Sequence, residues 1–178
     1  MNNYENLKDR VEIYLGDITK LNVDAIVNAA NTSLLGGGGV DGAIHRAAGP
    51  ELKEYCKTLG GCKTGEAKIT PGFRLPAKYV IHAVGPVWRG GDFREDDLLK
   101  NAYLNSLKLC KKYNIKTVAF PNISTGVYGY PLDRAAEIVW QTVLDWLSRE
   151  PLPEKVIFAI FSEDNYHIYK EYYEKYFG

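Results

Sequence analysis

The residues with the clearest chemical potential lie between Asn28 and His45, in the sequence NAANTSLLGGGGVDGAIH. Four consecutive glycines there follow an apolar run at residues 25–27 that is typical of a buried strand, and they precede residues 42–48, whose composition favours a helix. A strand that breaks into glycines and then enters a helix brings free backbone amides and a helix N-terminus together, which is the geometry of an anion site. Because Asp41 belongs to the same stretch, the pattern predicts an anionic ligand with an acid beside it.

The alternative for the glycine run is a flexible linker. Linkers are normally flanked by polar residues, whereas this run lies between Leu34, Leu35 and Val40, which we expect to be buried. An ordered loop is therefore favoured. The run matches neither the phosphate-loop pattern GxxxxGK[ST] nor the dinucleotide pattern GxGxxG, so its spacing alone does not name the ligand.

Other side chains suited to binding follow predicted strands. Asp17 follows the strand predicted at residues 11–15 and Gly16, and it is suited either to capping a turn or to accepting a hydrogen bond from a ligand amino group. For Asn28 a structural role is favoured, through left-handed backbone or bonds to nearby amides, whereas Asn31 lies closer to the glycines and can orient a ligand hydroxyl. Phe161 ends the last predicted strand, where its ring can stack on a base.

Two histidines need separate interpretations. His45 lies four residues beyond Asp41 on the same helix face, but no Ser or Cys nucleophile stands at an elbow beside the pair. We therefore expect His45 to hold the loop or the neighbouring backbone. His82 lies within an apolar strand, which is typical of a core histidine with satisfied hydrogen bonds.

The remaining sequence supplies elements that position these residues. Strands are predicted at residues 11–15, 25–27, 67–70, 79–84, 117–120 and 155–161, and helices at 42–48, 51–59, 99–110, from about 133, and at 164–177. A second glycine loop, NISTGVYGYP, again separates a strand from a helix. Alternating strands and helices predict a three-layer α/β/α domain whose two glycine loops meet at the carboxyl edge of one sheet and grip a diphosphate. Trp88 and Arg89, between glycine pairs, belong either to a mobile flap or, as favoured, to an ordinary exposed loop.

Composition limits the class of protein. The 178 residues predict a single domain spanning residues 1–178, and the balance of 22 basic and 22 acidic residues excludes an electrostatic surface for nonspecific nucleic-acid binding. The polar N-terminal sequence and the absence of a long apolar run predict a cytoplasmic protein without membrane contact. Three cysteines without CxxC spacing indicate reduced thiols.

Four segments together resemble the macrodomain family, and within it the MacroD-type ADP-ribosyl hydrolases, which are also O-acetyl-ADP-ribose deacetylases. They are GDIT at residues 16–19, NAAN at 28–31, GGGGVDGAIHRAAG at 36–49 and STGVYGYP at 124–131. The resemblance implies a three-layer α/β/α domain with a mixed, mostly parallel six-stranded sheet. It also implies an ADP-ribose pocket across the carboxyl edge, with no cofactor and no metal.

The resemblance assigns roles to individual residues. Asp17 would accept a hydrogen bond from the adenine amino group beside the Ile18 amide, and Phe161 would stack on the adenine ring. Asn31 would bind the distal ribose hydroxyls, and Asp41 would be the catalytic carboxylate, with Asn31 assisting. The backbone that wraps the diphosphate and distal ribose would come from Gly37, Gly38, Gly39, Val40, Ser124, Thr125, Gly126, Val127 and Tyr128.

The implied activity is hydrolysis of ADP-ribose esters by Asp-assisted attack of water. The substrates would be mono-ADP-ribose on Asp or Glu side chains of proteins, and O-acetyl-ADP-ribose, with the protein acting as a monomer. Two alternatives are a reader that binds ADP-ribose without turnover and a phosphatase acting on ADP-ribose phosphate. A zinc-dependent branch of the family is a third, but the Cys and His positions form no recognisable ligand set.

The pKa of Asp41 is the open point of this mechanism. A nearby phosphate would raise that pKa and make the carboxylate a better base, whereas the helix N-terminus would lower it. Sequence alone does not decide between the two effects.

Overall fold

The computed structural model describes residues 4–178; the predicted domain also includes residues 1–3, which lie outside the described residues. Six strands form one sheet in the order β1-β6-β5-β2-β4-β3, and every neighbouring pair is parallel except β3 with β4. The predicted mixed, mostly parallel six-stranded sheet is confirmed. The strands are β1 (Val11–Leu15), β2 (Ala25–Ala30), β3 (Ala67–Pro71), β4 (Tyr79–Val84), β5 (Thr117–Phe120) and β6 (Lys155–Ile160).

Helices cover both faces of this sheet. They are α1 (Gly39–Ala48), α2 (Pro50–Lys57), α3 (Glu95–Lys112), α4 (Leu132–Arg149) and α5 (Glu163–Phe177). Side chains of α3, α4 and α5 share one apolar cluster, and side chains of α1 and α2 share the other. Since the sheet lies between the two clusters, the three-layer α/β/α prediction is confirmed.

Residues of β2 alternate between the two clusters. Ala25 and Val27 belong to the cluster under α3 to α5, whereas Ile26 and Ala30 belong to the one under α1 and α2. Successive side chains of a strand point to opposite faces of the sheet, so a strand covered on both faces is apolar nearly throughout. Asn28 is therefore a buried polar residue in an apolar strand, and its amide needs hydrogen-bond partners.

The boundary of β2 corrects one prediction. This strand extends to Ala30 rather than ending at Val27, and Asn28 pairs in register with His82 of β4. The left-handed backbone role expected for Asn28 is therefore wrong, because the residue lies inside an extended, paired strand. Its side chain instead places a buried amide beside Asp41 of α1.

Other boundaries differ from the predictions by smaller amounts. β1, β4 and β5 have the predicted bounds, whereas β6 ends at Ile160 and leaves Phe161 just beyond the strand. Helix α1 begins at Gly39, three residues earlier than predicted, and α3 begins at Glu95, four residues earlier. Two short 3-10 helices, Glu5–Arg10 and Ile18–Lys20, were not predicted, because segments of six and three residues are too short to show apolar periodicity.

The topology points to one edge of the sheet. Adjacent strands β2 and β5 are parallel, and the helix that follows β2 lies on one face while the helix that follows β5 lies on the other. A crevice opens outside the carboxyl ends of two such strands, and open α/β sheets bind their ligands there. Within residues 4–178, no helix is both long enough and apolar enough to cross a membrane.

Candidate functional site

A cleft of about 840 Å³ lies at this carboxyl edge, within the size range of small-molecule sites. It is lined by every residue predicted from the sequence to form the site: Asp17, Ile18, Asn31, Gly37, Gly38, Gly39, Val40, Asp41, Ser124, Thr125, Gly126, Val127, Tyr128 and Phe161. It is also lined by Arg46, Asn122, Asp164 and Asn165, which sequence analysis missed. Arg46 and Asn122 lie within the quoted segments GGGGVDGAIHRAAG and NISTGVYGYP, and Asp164 and Asn165 follow Phe161 by three and four residues, so their position in the sequence was the available signal.

Asp17 holds one end of the cleft. Its Oδ1 accepts hydrogen bonds from the Thr19 backbone amide at 2.9 Å and from Thr19 Oγ1 at 2.7 Å, which caps the 3-10 turn. The bond from the Thr19 hydroxyl, followed by the bond from its amide, lowers the pKa of Asp17. Both bonds are to the same oxygen, so turn capping and ligand binding are compatible in this carboxylate.

The first glycine loop (residues 31–38) is organised by Asn31. Its Oδ1 accepts from the Leu34 amide at 3.1 Å and from Ser33 Oγ at 2.8 Å, while its Nδ2 donates to the Gly36 carbonyl at 3.0 Å. Leu34 is buried, in agreement with an ordered loop rather than a linker. Leu35, also expected to be buried, is exposed, because it lies at a bend within the loop.

Two glycines of this region are needed for close packing. A Cβ at Gly42 would lie 2.5 Å from the carbonyl oxygen of Gly37, and a Cβ at Gly37 would lie 3.1 Å from Asp41 Oδ2. The first distance is shorter than any real carbon contact and involves backbone. The glycine loop therefore packs directly on the first turn of α1, which places Asp41 beside it.

Asp41 lies in the first turn of α1, is buried, and lines the cleft. Its Oδ1 accepts from Asn28 Nδ2 at 2.8 Å, and His45 Nε2 lies 3.5 Å from the same oxygen. Burial raises the pKa of Asp41, against the lowering effects of the Asn28 hydrogen bond and of His45. Desolvation therefore decides the direction of the pKa shift, an effect that the sequence-based comparison of phosphate and helix dipole did not include.

Behind Asp41 a buried polar cluster joins the four elements β2, β3, β4 and α2. Asn28 Nδ2 lies 3.1 Å from His82 Nδ1, and His82 Nε2 lies 3.0 Å from Thr70 Oγ1 and 3.9 Å from Cys56 Sγ. The interpretation of His82 as a core histidine with satisfied hydrogen bonds is confirmed. Its connection to Asp41 through Asn28 was missed, since it depends on the register between β2 and β4.

The second glycine loop (residues 121–131) covers the cleft from the other side. Ser124 has a positive φ of 68°, and its backbone carbonyl accepts from the Tyr130 amide at 2.9 Å. Its Oγ is buried against Gly85 and lacks a hydrogen-bond partner among residues 4–178, as does the buried Oδ1 of Asn165. Both residues line the cleft, and each leaves one buried polar atom without a partner in the described part of the chain.

The segment that carries Trp88 and Arg89 is anchored to this second loop. The Trp88 amide donates to the Tyr128 carbonyl at 2.8 Å, and its ring packs on Tyr130 at a centroid distance of 4.8 Å. The buried carboxylate of Glu95 accepts from the backbone amides of Arg89 and of two further residues of the segment. These contacts fit the favoured interpretation as an ordinary exposed loop better than a mobile flap, with Arg89 exposed and Trp88 half-buried.

The cysteines and histidines do not assemble into a metal centre in the part of the chain that the structure describes, where no group of three or more His, Cys, Asp or Glu side chains is placed to hold an ion. Cys56, Cys62 and Cys110 are buried free thiols, in agreement with the reduced state predicted from their spacing. Burial raises the pKa of Cys56 to about 11. These thiols are therefore not nucleophiles at neutral pH.

Fold and cleft together place the chain among α/β domains that bind ligands at the carboxyl edge of the sheet. The family profile described as Macro domain matches residues 27–139. An Escherichia coli protein named O-acetyl-ADP-ribose deacetylase is 57% identical over 168 residues, which are 92% of this chain and 95% of that protein. The chain therefore belongs to the macrodomain family, as the sequence motifs indicated.

Solved structures agree with this assignment. The Oceanobacillus iheyensis macrodomain with ADP superimposes with a TM-score of 0.89 and 47% identity, covering 93% of this chain and 90% of that one. The Trypanosoma brucei macrodomain in complex with ADP-ribose superimposes with a TM-score of 0.85 and 46% identity, covering 91% of this chain and 68% of that one. At such identities the likeness extends beyond the fold to the sequence.

Proposed function

We propose that residues 1–178 form a single macrodomain that binds ADP-ribose and hydrolyses esters at its distal ribose. The observation that carries this proposal is the buried carboxylate of Asp41, which lines the cleft between two glycine loops with Asn28 fixing one of its oxygens. Support comes from the relative named O-acetyl-ADP-ribose deacetylase and from the macrodomain structures with ADP and ADP-ribose. The proposed substrates are O-acetyl-ADP-ribose and proteins mono-ADP-ribosylated on Asp or Glu.

The proposed ligand runs along the cleft from Asp17 to Asp41. Adenine lies between the Phe161 ring and the Asp17 turn, where the carboxylate accepts from the adenine amino group beside the Ile18 amide. The diphosphate lies between the two glycine loops, whose backbone amides bind anions without adding cationic side chains. The distal ribose lies at Asn31, next to Asp41.

In the proposed reaction Asp41 acts as general base. It takes a proton from a water molecule, or orients that water through a ribose hydroxyl, and the water oxygen attacks the ester carbonyl carbon. The bond between that carbon and the ribose oxygen then breaks, and the ribose oxygen takes up the proton removed from the water, so the products are a carboxylic acid and a free ribose hydroxyl. Burial raises the pKa of Asp41, and a carboxylate with a raised pKa is a stronger base at neutral pH.

Two other functions are separable by experiment. A non-catalytic ADP-ribose reader would bind the ligand and release it unchanged, and a phosphatase would release phosphate from ADP-ribose phosphate. A carboxylate repels a bound diphosphate, so a buried Asp beside the glycine loop favours catalysis over simple binding. The metal-independent mechanism is part of the proposal, and a chelator tests it.

The experiment is release of ADP-ribose from a protein mono-ADP-ribosylated on Glu or Asp, with acetate release from O-acetyl-ADP-ribose measured in parallel. Wild type and Asp41→Ala are compared with a chelator present, and ADP-ribose binding is measured by calorimetry for both. Turnover by wild type alone, with binding retained in both, is the expected result. Tight binding without turnover by either would identify a reader instead. The monomeric state and cytoplasmic location stay predictions, and sedimentation of the purified chain tests the first.

A further inference from the structure

A continuous line of buried hydrogen bonds runs from the cleft to the edge strand of the sheet. It begins at Asp41 Oδ1, passes through the Asn28 amide and the His82 ring, and reaches Thr70 Oγ1. The Thr70 hydroxyl in turn donates to the Pro71 carbonyl at 3.1 Å. All four side chains are buried, so water does not compete for these bonds.

Donor and acceptor chemistry allows only one placement of the hydrogens along this line of hydrogen bonds. The Asn28 Nδ2 group is a donor only, and its two hydrogens are directed to Asp41 and to His82 Nδ1. Nδ1 of His82 must therefore accept, which leaves the ring proton on Nε2. That proton is directed to Thr70 Oγ1, whose own hydrogen is directed to Pro71.

The reverse orientation of the Asn28 amide is excluded by the same chemistry. With its oxygen and nitrogen exchanged, the amide oxygen would face the Asp41 carboxylate, and two acceptors would meet without a hydrogen between them. Since Asn28 Oδ1 has no hydrogen-bond partner among residues 4–178, the amide is oriented by its two donor bonds. Removal of the acceptor at His82 leaves Asp41 as the remaining partner.

We propose that His82 is a positioning residue for the hydrolysis described above: its Nε2–H tautomer holds the Asn28 amide in the orientation that fixes the Asp41 carboxylate. His82 touches no part of the cleft and acts through Asn28 alone. The kinetic part of this inference rests on the proposed function. Its structural part, the tautomer of His82 and the titration of Asp41, does not.

The groups around this line come from several elements. His45 of α1 faces both Asp41 and the His82 ring, whose centroid lies 6.4 Å from its own, and Lys53 of α2 faces His45. Cys56 of α2 faces His82 and is influenced by Asp41. Burial, with a smaller contribution from His45, lowers the pKa of His82 to about 3. His82 therefore stays neutral at working pH and offers Asn28 the same acceptor throughout.

The first test uses the unmodified protein. Nitrogen chemical shifts of the histidine rings are measured by NMR between about pH 5 and 8, the range over which an ordinary histidine titrates. His82 is expected to show a protonated Nε2, an unprotonated Nδ1 and no titration. A protonated Nδ1, or a midpoint near the usual 6.5, would overturn the proposal without any mutation.

The second test compares two substitutions that separate the ring nitrogens. In His82→Asn the side-chain amide reaches the position of Nδ1 and keeps an acceptor for Asn28. In His82→Gln it reaches the position of Nε2 and keeps the Thr70 contact instead. His82→Gln should lower kcat on the order of tenfold or more, as expected for a displaced catalytic group, with KM and ADP-ribose affinity unchanged. His82→Asn should recover most of that loss.

The titration of Asp41 supplies a readout that does not need turnover. Asn28 lowers the pKa of Asp41, so an amide that is held less firmly in His82→Gln should raise that pKa, which the Asp41 carboxyl carbon shift measures by NMR without turnover. In the active enzyme the acid limb of the activity profile should move to higher pH. Thr70→Val removes the hydrogen-bond partner of His82 Nε2 and should raise the pKa of Asp41 by a smaller amount. Equal losses of kcat in His82→Gln and His82→Asn, with an unchanged pKa of Asp41, would show that His82 has only a structural role. If wild type proves inactive, the proposed function fails, and the Asp41 carbon shifts still decide the positioning role.

Discussion

The two ends of the cleft each carry an aspartate, and the fold shifts the pKa values of the two carboxyl groups in opposite directions. Asp17 accepts two hydrogen bonds from Thr19, which lower its pKa, whereas burial raises the pKa of Asp41 despite its bond from Asn28. One carboxylate is thereby kept ionised as a fixed acceptor, and the other becomes a stronger base. The comparison supports the proposed division of roles, with recognition at the Asp17 end and chemistry at the Asp41 end.

The largest effect is expected at the Asp41 end. Asp41→Ala should slow ester hydrolysis by ~10²–10⁴-fold, the usual contribution of a general base, while ADP-ribose binding is retained. Single-turnover release of ADP-ribose and calorimetric titration measure the two quantities. Asp17→Ala is the matched control, because it removes the same group from the other end and should keep kcat at saturating substrate. Equal losses of kcat in both variants would remove the division of roles.

The glycine packing at the Asp41 end is the next most sensitive feature. Gly42→Ala puts a methyl group against the Gly37 carbonyl, where it has no room, so the loop must move away from α1. A cost of about 1–3 kcal/mol in the free energy of unfolding is typical of such overpacking. Denaturant unfolding measures it, and activity should fall more than ADP-ribose binding. Gly38→Ala, where a Cβ meets nothing within 4 Å, is the control and should leave stability nearly unchanged.

At the other end, Phe161→Ala should weaken ADP-ribose binding and spare the chemical step. The ring is 87% exposed, so its removal costs little packing, but a lost stacking contact with a base is worth about 1–3 kcal/mol. An increase in Kd of about tenfold with unchanged kcat is therefore expected. Val127→Ala removes another exposed apolar side chain of the rim and serves as the comparison. An unchanged Kd in Phe161→Ala would place the base elsewhere.

The smallest effect is a pair of opposite pH dependences in stability. Because burial raises the pKa of folded Asp41 above 3.8, the stability from this group is present below that value and is lost as pH rises through the folded pKa. The lowered pKa of Asp17 acts the other way: its contribution is present above 3.8 and is lost as pH falls through the folded pKa.

Replacing each aspartate by asparagine, a neutral amide, tests whether the two contributions to stability depend on pH in opposite directions. In thermal melts at neutral pH, Asp41→Asn should be as stable as wild type or more stable, whereas Asp17→Asn should be less stable. The Asp41→Asn difference should shrink as the pH falls towards 3.8, whereas the Asp17→Asn difference should shrink only as the pH falls below 3.8. Destabilisation by Asp41→Asn that grows as the pH rises would contradict the sign given to Asp41.

Most of the fold was predictable because local patterns in the sequence carry it. Strands β1, β4 and β5 have the predicted bounds, since alternation and apolar runs are properties of neighbouring residues. Helix α3 was predicted four residues short at its start, because the Glu95 carboxylate there binds amides of the preceding loop. That contact is not a periodic feature and leaves no trace in a hydrophobic pattern.

The candidate site, too, was predictable where local motifs carry it and not where distant residues meet. The glycine loops and the residues after each strand were recognisable, because a motif of 14 consecutive residues such as GGGGVDGAIHRAAG is specific by itself. The left-handed backbone expected at Asn28 was wrong, since the length of β2 depends on the ladder it forms with β4. Its amide is held by His82, which is 54 residues away along the chain.

By itself the sequence determined which elements form, which loops bear glycine, and which acid stands beside them. Tertiary structure alone decided that Asp41 is buried, that its pKa rises, and that His82 stands behind it through Asn28. The physical reason is the range of the interactions. Periodicity and turn formation act between near neighbours, whereas desolvation and buried hydrogen bonds depend on the register of strands that meet only in the folded sheet.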